Sequence, residues 1–214
     1  MTPPVLLVAT RSAGKLRELR SLVAEAGFRA RSLDEALIAA TPEEERLEAF
    51  DTFEENARAK ARFFLARSGG VPVLAEDSGL VVEALGGAPG VRSKRWSASP
   101  LSGPALDEAN NRALLDALAT GTDRRAKYVC VAVLAFPGGE VCARGESAGR
   151  ILRAPCGTNG FGYDPLFLSD ELAITFAEAA PEEKARVSHR GRAVRVVLAA
   201  FALRAQGLSA PRGR

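Results

Sequence analysis

The sequence predicts an α/β fold built on a mixed β-sheet. Three observations support this class: an apolar run at residues 5–9 that leads into a helical pattern, further helical patterns between apolar runs, and two apolar runs flanking Pro137-Gly138-Gly139. The last arrangement is typical of a β-hairpin. Because strands are joined both by helices and by a hairpin, we expect parallel and antiparallel neighbours in one sheet.

The N-terminal half contains clear helix start and stop signals. Thr52-Phe53-Glu54-Glu55 is a capping box, which marks a helix start, and Ser68-Gly69-Gly70 is a helix stop. Residues 29–50 have no clear period and are expected to be partly loop. The predicted elements are a strand at 5–9, a helix with apolar Leu16, Leu19, Leu22, Val23 and Ala26 that stops at Gly27, a helix from Thr52 to about Arg67, and a strand at 71–75.

The C-terminal half alternates turns with periodic segments. The predicted elements are a glycine-rich turn at 86–90, a helix at 106–119, hairpin strands at 126–136 and 140–147, a turn-rich loop at 159–165, and helix at 182–206 with a break near His189-Arg190-Gly191. We expect one domain over residues 1–207 and a flexible tail at 208–214.

Composition limits the function classes. The 214 residues are 47% hydrophobic and 26% charged, and the formal net charge of +3 is mild. The sequence lacks a basic stripe interleaved with aromatic residues, so we expect no nucleic-acid partner. No apolar run is long enough to predict a membrane partner. Cys130, Cys142 and Cys156 lack metal-ligand spacing, so we expect reduced thiols in a cytoplasmic protein, with a Cys130–Cys142 bridge as the disfavoured alternative.

The segment from Thr10 to Lys15 follows the first strand and opens the first helix. Backbone N–H groups at a helix N-terminus bind anions, and the Lys15 ammonium adds positive charge. The alternative is an ordinary helix cap by Ser12 with a surface lysine. The candidate phosphate contacts are Thr10, Arg11, Ser12, Ala13, Gly14 and Lys15.

Glu76 and Asp77 are expected at the C-terminal end of a buried strand, followed by Ser78. Ligands of open α/β sheets bind at such ends, and paired carboxylates suit Mg²⁺ and general-base chemistry. An Asx-turn is the alternative. Asn56 and Lys60 lie four residues apart on one helical face, where the alternative is a solvated surface.

The third candidate group lies in the C-terminal half. Phe161, Gly162, Tyr163 and Asp164 form a loop that presents an aromatic ring and an acid, and aromatic faces stack on bases. The alternative is a plain loop with a buried Phe161. Lys184, His189 and Arg190 crowd nitrogen donors at a helix break, although a lone histidine is more often structural. Arginine outnumbers lysine 24 to 5, yet Lys15, Lys60 and Lys184 all fall in the candidate segments, which favours a ligand role.

In this order, the motifs resemble the inosine triphosphate pyrophosphatase family. The resemblance runs from Val5 to about Leu203. The motifs that carry it are Ala9-Thr10…Gly14-Lys15, Thr52-Phe53-Glu54-Glu55-Asn56-Ala57…Lys60-Ala61, Glu76-Asp77-Ser78-Gly79-Leu80, Leu85-Gly86-Gly87-Ala88-Pro89-Gly90, Gly160-Phe161-Gly162-Tyr163-Asp164-Pro165 and Ser188-His189-Arg190-Gly191. Six motifs in order are specific, although no single one decides.

The resemblance implies an elongated mixed sheet with flanking helices, two lobes with a cleft, and a homodimer. It implies Mg²⁺-dependent hydrolysis of noncanonical purine nucleoside triphosphates (ITP, dITP and XTP) to monophosphate and pyrophosphate. Asp77 matches the catalytic proton acceptor and metal ligand, and Ser78 matches a substrate contact. Phe161 to Asp164, Lys184, His189 and Arg190 match the nucleoside pocket. Glu76 and Glu48 match further metal positions.

Two residues depart from the family pattern. Ser12 replaces the usual asparagine, and Glu76 replaces the commoner aspartate. Whether water attacks the α or the β phosphorus stays open. Three alternatives also stay open: a pyrophosphatase for pyrimidine or modified nucleotides, a nucleotide-sensing protein without turnover, and a nucleic-acid-binding module.

Overall fold

The computed structural model of the protein describes residues 2–205, and these contain one six-stranded sheet. Its strands are β1 (Val5–Val8), β2 (Arg29–Ser32), β3 (Val73–Val82), β4 (Arg125–Phe136), β5 (Gly139–Ile151) and β6 (Phe167–Ser169). The strand order is β2-β1-β3-β4-β5-β6. β1 pairs in parallel with β2 and β3, whereas β5 pairs antiparallel with β6. The predicted mixed sheet is therefore confirmed.

Five α-helices accompany the sheet in the part of the chain that the structure describes. They are α1 (Ala13–Glu25), α2 (Phe53–Leu65), α3 (Gly103–Ala117), α4 (Pro181–Val187) and α5 (His189–Ala205). Short 3-10 segments lie at Pro42–Glu48, Glu83–Leu85 and Gly90–Arg95. The break in the last helical region falls at Ser188, whose ψ of 149° is extended, so His189 begins α5. The predicted tail at 208–214 lies outside the described residues.

Side-chain caps explain where the first two long helices begin. The Ser12 hydroxyl accepts from Lys15 N at the start of α1, and the Thr52 hydroxyl accepts from Glu55 N at the start of α2. Each cap satisfies a backbone donor that the first helical turn leaves free. Both helices carry functional candidates in their first turns, so the caps also fix where those side chains emerge.

The expectation that a strand ends at Ala75 is wrong. β3 continues from Val73 to Val82, so Glu76 and Asp77 lie inside the strand rather than after it. Acidic residues and glycine are poor strand formers, which is why the local pattern predicts a stop. The structure gives both carboxylates polar partners within the protein, and this tertiary context outweighs the local preference.

Two short strands and three 3-10 segments were not predicted. β2 covers only Arg29–Ser32, with alternating charged and small residues, and is defined by its parallel register with β1. β6 has three residues. The 3-10 segment Pro42–Glu48 follows Thr41, whose backbone N–H donates to Glu44 Oε1 at 3.3 Å, and lies inside the stretch expected to be partly loop.

The chain divides into two compact units. The first comprises, among the described residues, 2–77, 131–144 and 191–205. Within it, α1 contacts β1 and β2. Its core contains the buried side chains of Leu6, Leu7, Val8, Leu19, Leu22, Val23, Ala57, Ala61, Phe64, Val73 and Leu74.

The second unit comprises Ser78–Cys130 and Gly145–Arg190. Its core is aromatic: Tyr128 packs on Phe167 and Phe176, with ring centroids 4.7 and 5.9 Å away. Aliphatic side chains of Leu80, Val82, Leu114, Leu118, Ile151 and Leu166 complete this core. Rigid aromatic packing of this kind supports the loop after β5 that carries functional candidates.

The three cysteines, Cys130, Cys142 and Cys156, are free thiols, as expected. Among residues 2–205, no helix combines the length and the apolar character needed to cross a membrane.

Candidate active site

The first unit holds a cluster of paired charges that we call the carboxylate–lysine cluster. Its members are Lys15, Glu48, Asn56, Lys60, Glu76 and Asp77. They come from α1, the 3-10 segment before α2, α2 itself and β3. Four of them, Asn56, Lys60, Glu76 and Asp77, are buried. Buried charges are expensive unless they are paired, so this concentration of charge in one place indicates function.

Lys60 is the hub of the cluster. Its Nζ lies 2.7 Å from Glu48 Oε1, 2.9 Å from the backbone oxygen of Glu76 and 3.6 Å from Asp77 Oδ1. Burial by itself lowers the pKa of Lys60, but the charges of Glu48, Asp77 and Glu76 outweigh it and raise the pKa above its ordinary value. Lys60 is therefore a permanent cation at neutral pH.

Asp77 is fixed by a neighbouring amide. Asn56 Nδ2 donates to Asp77 Oδ2 at 2.9 Å, while Asn56 Oδ1 accepts from Phe50 N at 3.0 Å. Burial raises the pKa of Asp77 above its ordinary value, and the positive charges of Lys60 and Lys15 offset part of that rise. A carboxylate with one oxygen on an amide and the other near an ammonium is held in one orientation, as a catalytic base requires.

Lys15 connects α1 to the same cluster. Its Nζ lies 2.9 Å from Glu76 Oε1, and the Glu76 side chain is fully buried. The predicted phosphate loop thus contributes its lysine to the group that contains Asp77. Ammonium groups in such a position can neutralise phosphate oxygens.

The other loop residues have mixed surroundings. Thr10 Oγ1 accepts from Ser12 N, and Ser12 caps α1. Arg11 is exposed and its guanidinium contacts Asp34 and Glu44, with N–O distances of 3.0 and 2.9 Å. Ala13 is exposed and Gly14 half-buried at the helix start. The Ser12 hydroxyl therefore caps α1, as the alternative interpretation of this residue, an ordinary helix cap, expects.

The donor chemistry of the cluster fits a hard divalent cation. Glu48, Glu76 and Asp77 supply three carboxylates beside the two ammoniums of Lys15 and Lys60. Within residues 2–205, no three acidic, histidine or cysteine side chains already converge on one point as a preformed metal cage. Mg²⁺ does not need such a cage, because it binds through one or two carboxylates together with substrate phosphates.

The second unit holds a separate group that we call the aromatic–cation cluster. Its members are Phe161, Asp164, Lys184, His189 and Arg190. Lys184 Nζ lies 5.1 Å from the centre of the Phe161 ring, and the Arg190 guanidinium carbon lies 5.5 Å from it. A half-buried ring beside two cations can stack on a base that carries electron-rich oxygens.

Asp164 connects the Phe161 loop to Lys184. It accepts from Phe161 N at 2.8 Å and forms a buried ion pair with Lys184. Gly160, with φ of +76°, passes so close that an added Cβ would clash with the Asp164 carboxylate. Only glycine fits there. The loop that carries Phe161 is thus wrapped around the Asp164 side chain.

The remaining candidates of the second unit are well buried or bonded. His189 stacks on Tyr128, with ring centroids 4.5 Å apart, and Arg190 Nη2 donates to Ser78 Oγ at 2.9 Å. Tyr163 lies in the hydrophobic core and donates to the backbone oxygen of Ser93 at 2.7 Å. Burial raises the pKa of Tyr163 above its ordinary value, so it stays a neutral phenol.

Known proteins match almost the whole chain. The sequence profile of the Ham1 family matches residues 6–200. A protein of Symbiobacterium thermophilum named dITP/XTP pyrophosphatase is 48% identical, covering 91% of this chain and 93% of its own length. One of the same name from Nocardia farcinica is 46% identical, covering 94% and 97%. The structure of a HAM1 protein from Coxiella burnetii aligns with a TM-score of 0.77 at 33% identity, covering 93% and 98%.

The chain belongs to the Ham1 family. The family resemblance inferred from the motifs is thereby confirmed. It places the carboxylate–lysine and aromatic–cation clusters in a family whose relatives carry a name for triphosphate chemistry.

The predicted site residues of this Ham1 protein fall into two groups, one within each unit. The structure brings Lys15, Glu48, Asn56, Lys60, Glu76 and Asp77 together. Two of the candidates make internal contacts. Asn56 has its amide on Asp77 and on the backbone of Phe50, and Tyr163 packs in the core.

Two residues of the Ham1 chain were missed at the sequence level. Asp107 and Asn111 on α3 both bond to the backbone of Gly162, next to Phe161. Their spacing of four residues on one helix was the available signal. That spacing alone does not indicate a function, because the loop that the two side chains contact lies more than fifty residues away in sequence.

Proposed function

We propose that this Ham1 protein hydrolyses noncanonical purine nucleoside triphosphates, namely ITP, dITP and XTP, to nucleoside monophosphate and pyrophosphate. One water adds across a P–O–P bond, and one proton is released. The observation that carries the proposal is the buried Asp77, oriented by Asn56 beside the Lys60 ammonium. Relatives at 46–48% identity over most of the chain are named for this chemistry.

We assign the triphosphate to the first unit. Lys15, Lys60 and the backbone N–H groups at the start of α1, from Thr10 to Gly14, neutralise and orient its oxygens. Asp77 orients the attacking water and accepts its proton. Hydrolysis of phosphoric anhydrides depends mainly on position and electrostatics, and fixed buried charges supply both.

We assign Mg²⁺ to Asp77, Glu76 and Glu48. Three neighbouring carboxylates would by themselves repel the negative charge of a triphosphate. When bound, Mg²⁺ supplies the positive charge that offsets this repulsion. Lys15 and Lys60, which stay paired with these carboxylates, add their positive charge beside the phosphate oxygens.

We assign the base to the second unit. Phe161 stacks on the purine, and Lys184, His189 and Arg190 direct N–H groups towards its C6 oxygen, with Gly162, Tyr163 and Asp164 forming the supporting loop. Ser78 accepts from Arg190 and so fixes the guanidinium. We further propose a cytoplasmic homodimer in which residues 1–207 form the catalytic domain.

The decisive experiment measures pyrophosphate release from ITP, XTP, GTP, ATP and a pyrimidine set, each with Mg²⁺ and with EDTA. We expect rapid release from ITP and XTP, dependent on Mg²⁺. Preferential release from pyrimidine triphosphates would assign the protein to that substrate class instead. Tight ITP binding without release of pyrophosphate would make it a sensor, and binding to DNA with steep salt dependence would indicate a nucleic-acid partner.

A further inference from the structure

One face of α3 grips the loop that carries Phe161. Asp107 Oδ2 accepts from Gly162 N at 2.8 Å, and Asn111 Nδ2 donates to the backbone oxygen of Gly162 at 3.0 Å. Asp107 and Asn111 are one helical turn apart and therefore emerge on the same side of α3. Both polar groups of the Gly162 backbone are thus held by side chains of one rigid element.

A third bond completes the restraint. Phe161 N donates to Asp164 Oδ2 at 2.8 Å, so the peptide N–H groups before and after the Phe161 Cα are both anchored. Two fixed peptide planes leave little freedom in the φ and ψ of the residue between them. The direction in which the Phe161 ring leaves the backbone is therefore set by Asp164 and Asp107 together.

We propose that Asp107 and Asn111 are positioning residues for base recognition, which hold the Phe161 ring in the orientation that stacks on the purine. This inference rests on the proposed function, in which Phe161 supplies the stacking surface. A loop already held in its binding conformation loses little backbone freedom when the nucleotide arrives, so affinity rises without any new contact to the ligand.

The location of the two side chains separates this role from simple core packing. Asp107 and Asn111 are half-buried, and so are Phe161 and Gly162. Other residues of α3 provide its buried anchors, Asn110 and Leu114. The bonds to Gly162 therefore act chiefly on the loop, and their loss should affect the nucleotide more than the fold.

The test uses Asp107→Ala and Asn111→Leu in the full-length protein, with ITP as substrate. Each removes one bond to Gly162, and leucine keeps the branched shape of asparagine without its polar groups. We expect KM for ITP to rise roughly three- to tenfold in each, with kcat within about twofold, because part of a stacking contact is lost. Asp107→Asn keeps an oxygen acceptor and should recover most of the loss. Glu108→Ala, an exposed acid on the same helix, is the matched control.

A double-mutant cycle with Phe161→Ala identifies the route of the effect. Once the ring is absent, its orientation no longer matters, so Asp107→Ala should add little to the KM of Phe161→Ala. Thermal unfolding of every variant is followed in parallel. If Asp107→Ala does not fold, the cycle is run with Asn111→Leu, which removes a single neutral hydrogen bond.

Two results would overturn the inference: a normal KM for ITP in both α3 variants, or KM changes that multiply fully with that of Phe161→Ala. The wild-type protein separates this failure from that of the proposed function. If it releases no pyrophosphate from ITP, the proposed function fails and the positioning role fails with it. If it turns over ITP and the α3 variants behave as wild type, only the positioning role fails.

Discussion

The amide nitrogen of Asn56 lies 2.9 Å from Asp77 Oδ2, joining residues that are 21 positions apart in sequence. The same side chain accepts from the backbone N–H of Phe50. Asn56 therefore ties the loop before α2 to the carboxylate on β3. The geometry makes it a support of Asp77 and gives the motif around residue 56 a physical reason.

Asn56→Asp should lower kcat for ITP, because an acceptor replaces the donor that faces Asp77. Loss of a hydrogen bond to a charged group costs about 1.5–3 kcal/mol, or roughly 10- to 100-fold in rate. KM should change less than kcat. Steady-state kinetics check this, with Glu54→Ala on the exposed side of α2 as the control. A normal kcat would show that Asp77 does not depend on the Asn56 amide.

Asp77→Asn should keep the fold and nearly abolish turnover. Loss of a general base typically lowers the rate by about 10²- to 10⁴-fold. Burial opposes the charge on Asp77, and Lys60 keeps its ion pair with Glu48, so the neutral amide should leave the melting temperature close to that of the wild type. The matched control is Asp51→Asn, an exposed aspartate just before α2. A variant with a near-normal rate would remove Asp77 from the mechanism.

For the carboxylate–lysine cluster, the sequence predicts the helices that carry the lysines better than the strand that carries the carboxylates. Local signals mark the capped starts of α1 and α2 and the apolar run of β1. Lys15 and Lys60 could therefore be assigned to the correct helices from the sequence. The extent of β3 could not be predicted, because Glu76 and Asp77 are tolerated inside a strand only through partners on other elements. Such partners are a tertiary property.

The aromatic–cation cluster illustrates the same limit. Phe161 and Asp164 lie in an evident turn-rich loop, but the pattern does not tell which side chain faces the ligand and which supports the loop. The structure buries Asp164 and Tyr163 and leaves Phe161 half-buried. The hydrogen bonds to Asp107 and Asn111 depend on how α3 meets the loop, which no local pattern contains.

Lys15→Ala should raise KM for ITP by about 10- to 100-fold, because it removes a charged donor assigned to phosphate. Binding of inosine, which has no phosphate, should change little. Arg17→Ala removes a cation from the exposed side of the same helix and serves as the control. Equal weakening of inosine and ITP binding would contradict the assignment of Lys15 to the triphosphate.

The proposed homodimer predicts twice the mass of a single chain in solution. Multi-angle light scattering at low and high salt measures this directly. The expectation comes from family resemblance. A monomer mass at micromolar concentration in both buffers would refute it.

The last prediction concerns discrimination between bases. Hypoxanthine and xanthine carry an acceptor oxygen at C6, where adenine carries an amino donor. Lys184 and Arg190 carry only donors, so adenine would place a donor against a donor. Sites built around such a hydrogen bond can reject the wrong analogue by roughly 10⁴-fold. We therefore expect strong hydrolysis of ITP and XTP and very weak hydrolysis of ATP.

GTP also carries the C6 oxygen, so Lys184 and Arg190 can donate to it and do not exclude GTP. We expect intermediate or weak hydrolysis of GTP. Lys184→Ala and Arg190→Ala should narrow the ratio of kcat/KM between ITP and ATP. Each also removes an internal partner, from Asp164 and from Ser78 respectively, so melting temperatures are measured alongside. Arg186→Ala, an exposed cation on α4, is the control. Because Phe161 stacks on any purine, its loss should weaken ITP and ATP alike. Efficient ATP turnover by the wild type, or an unchanged ratio in both variants, would refute this account of base recognition.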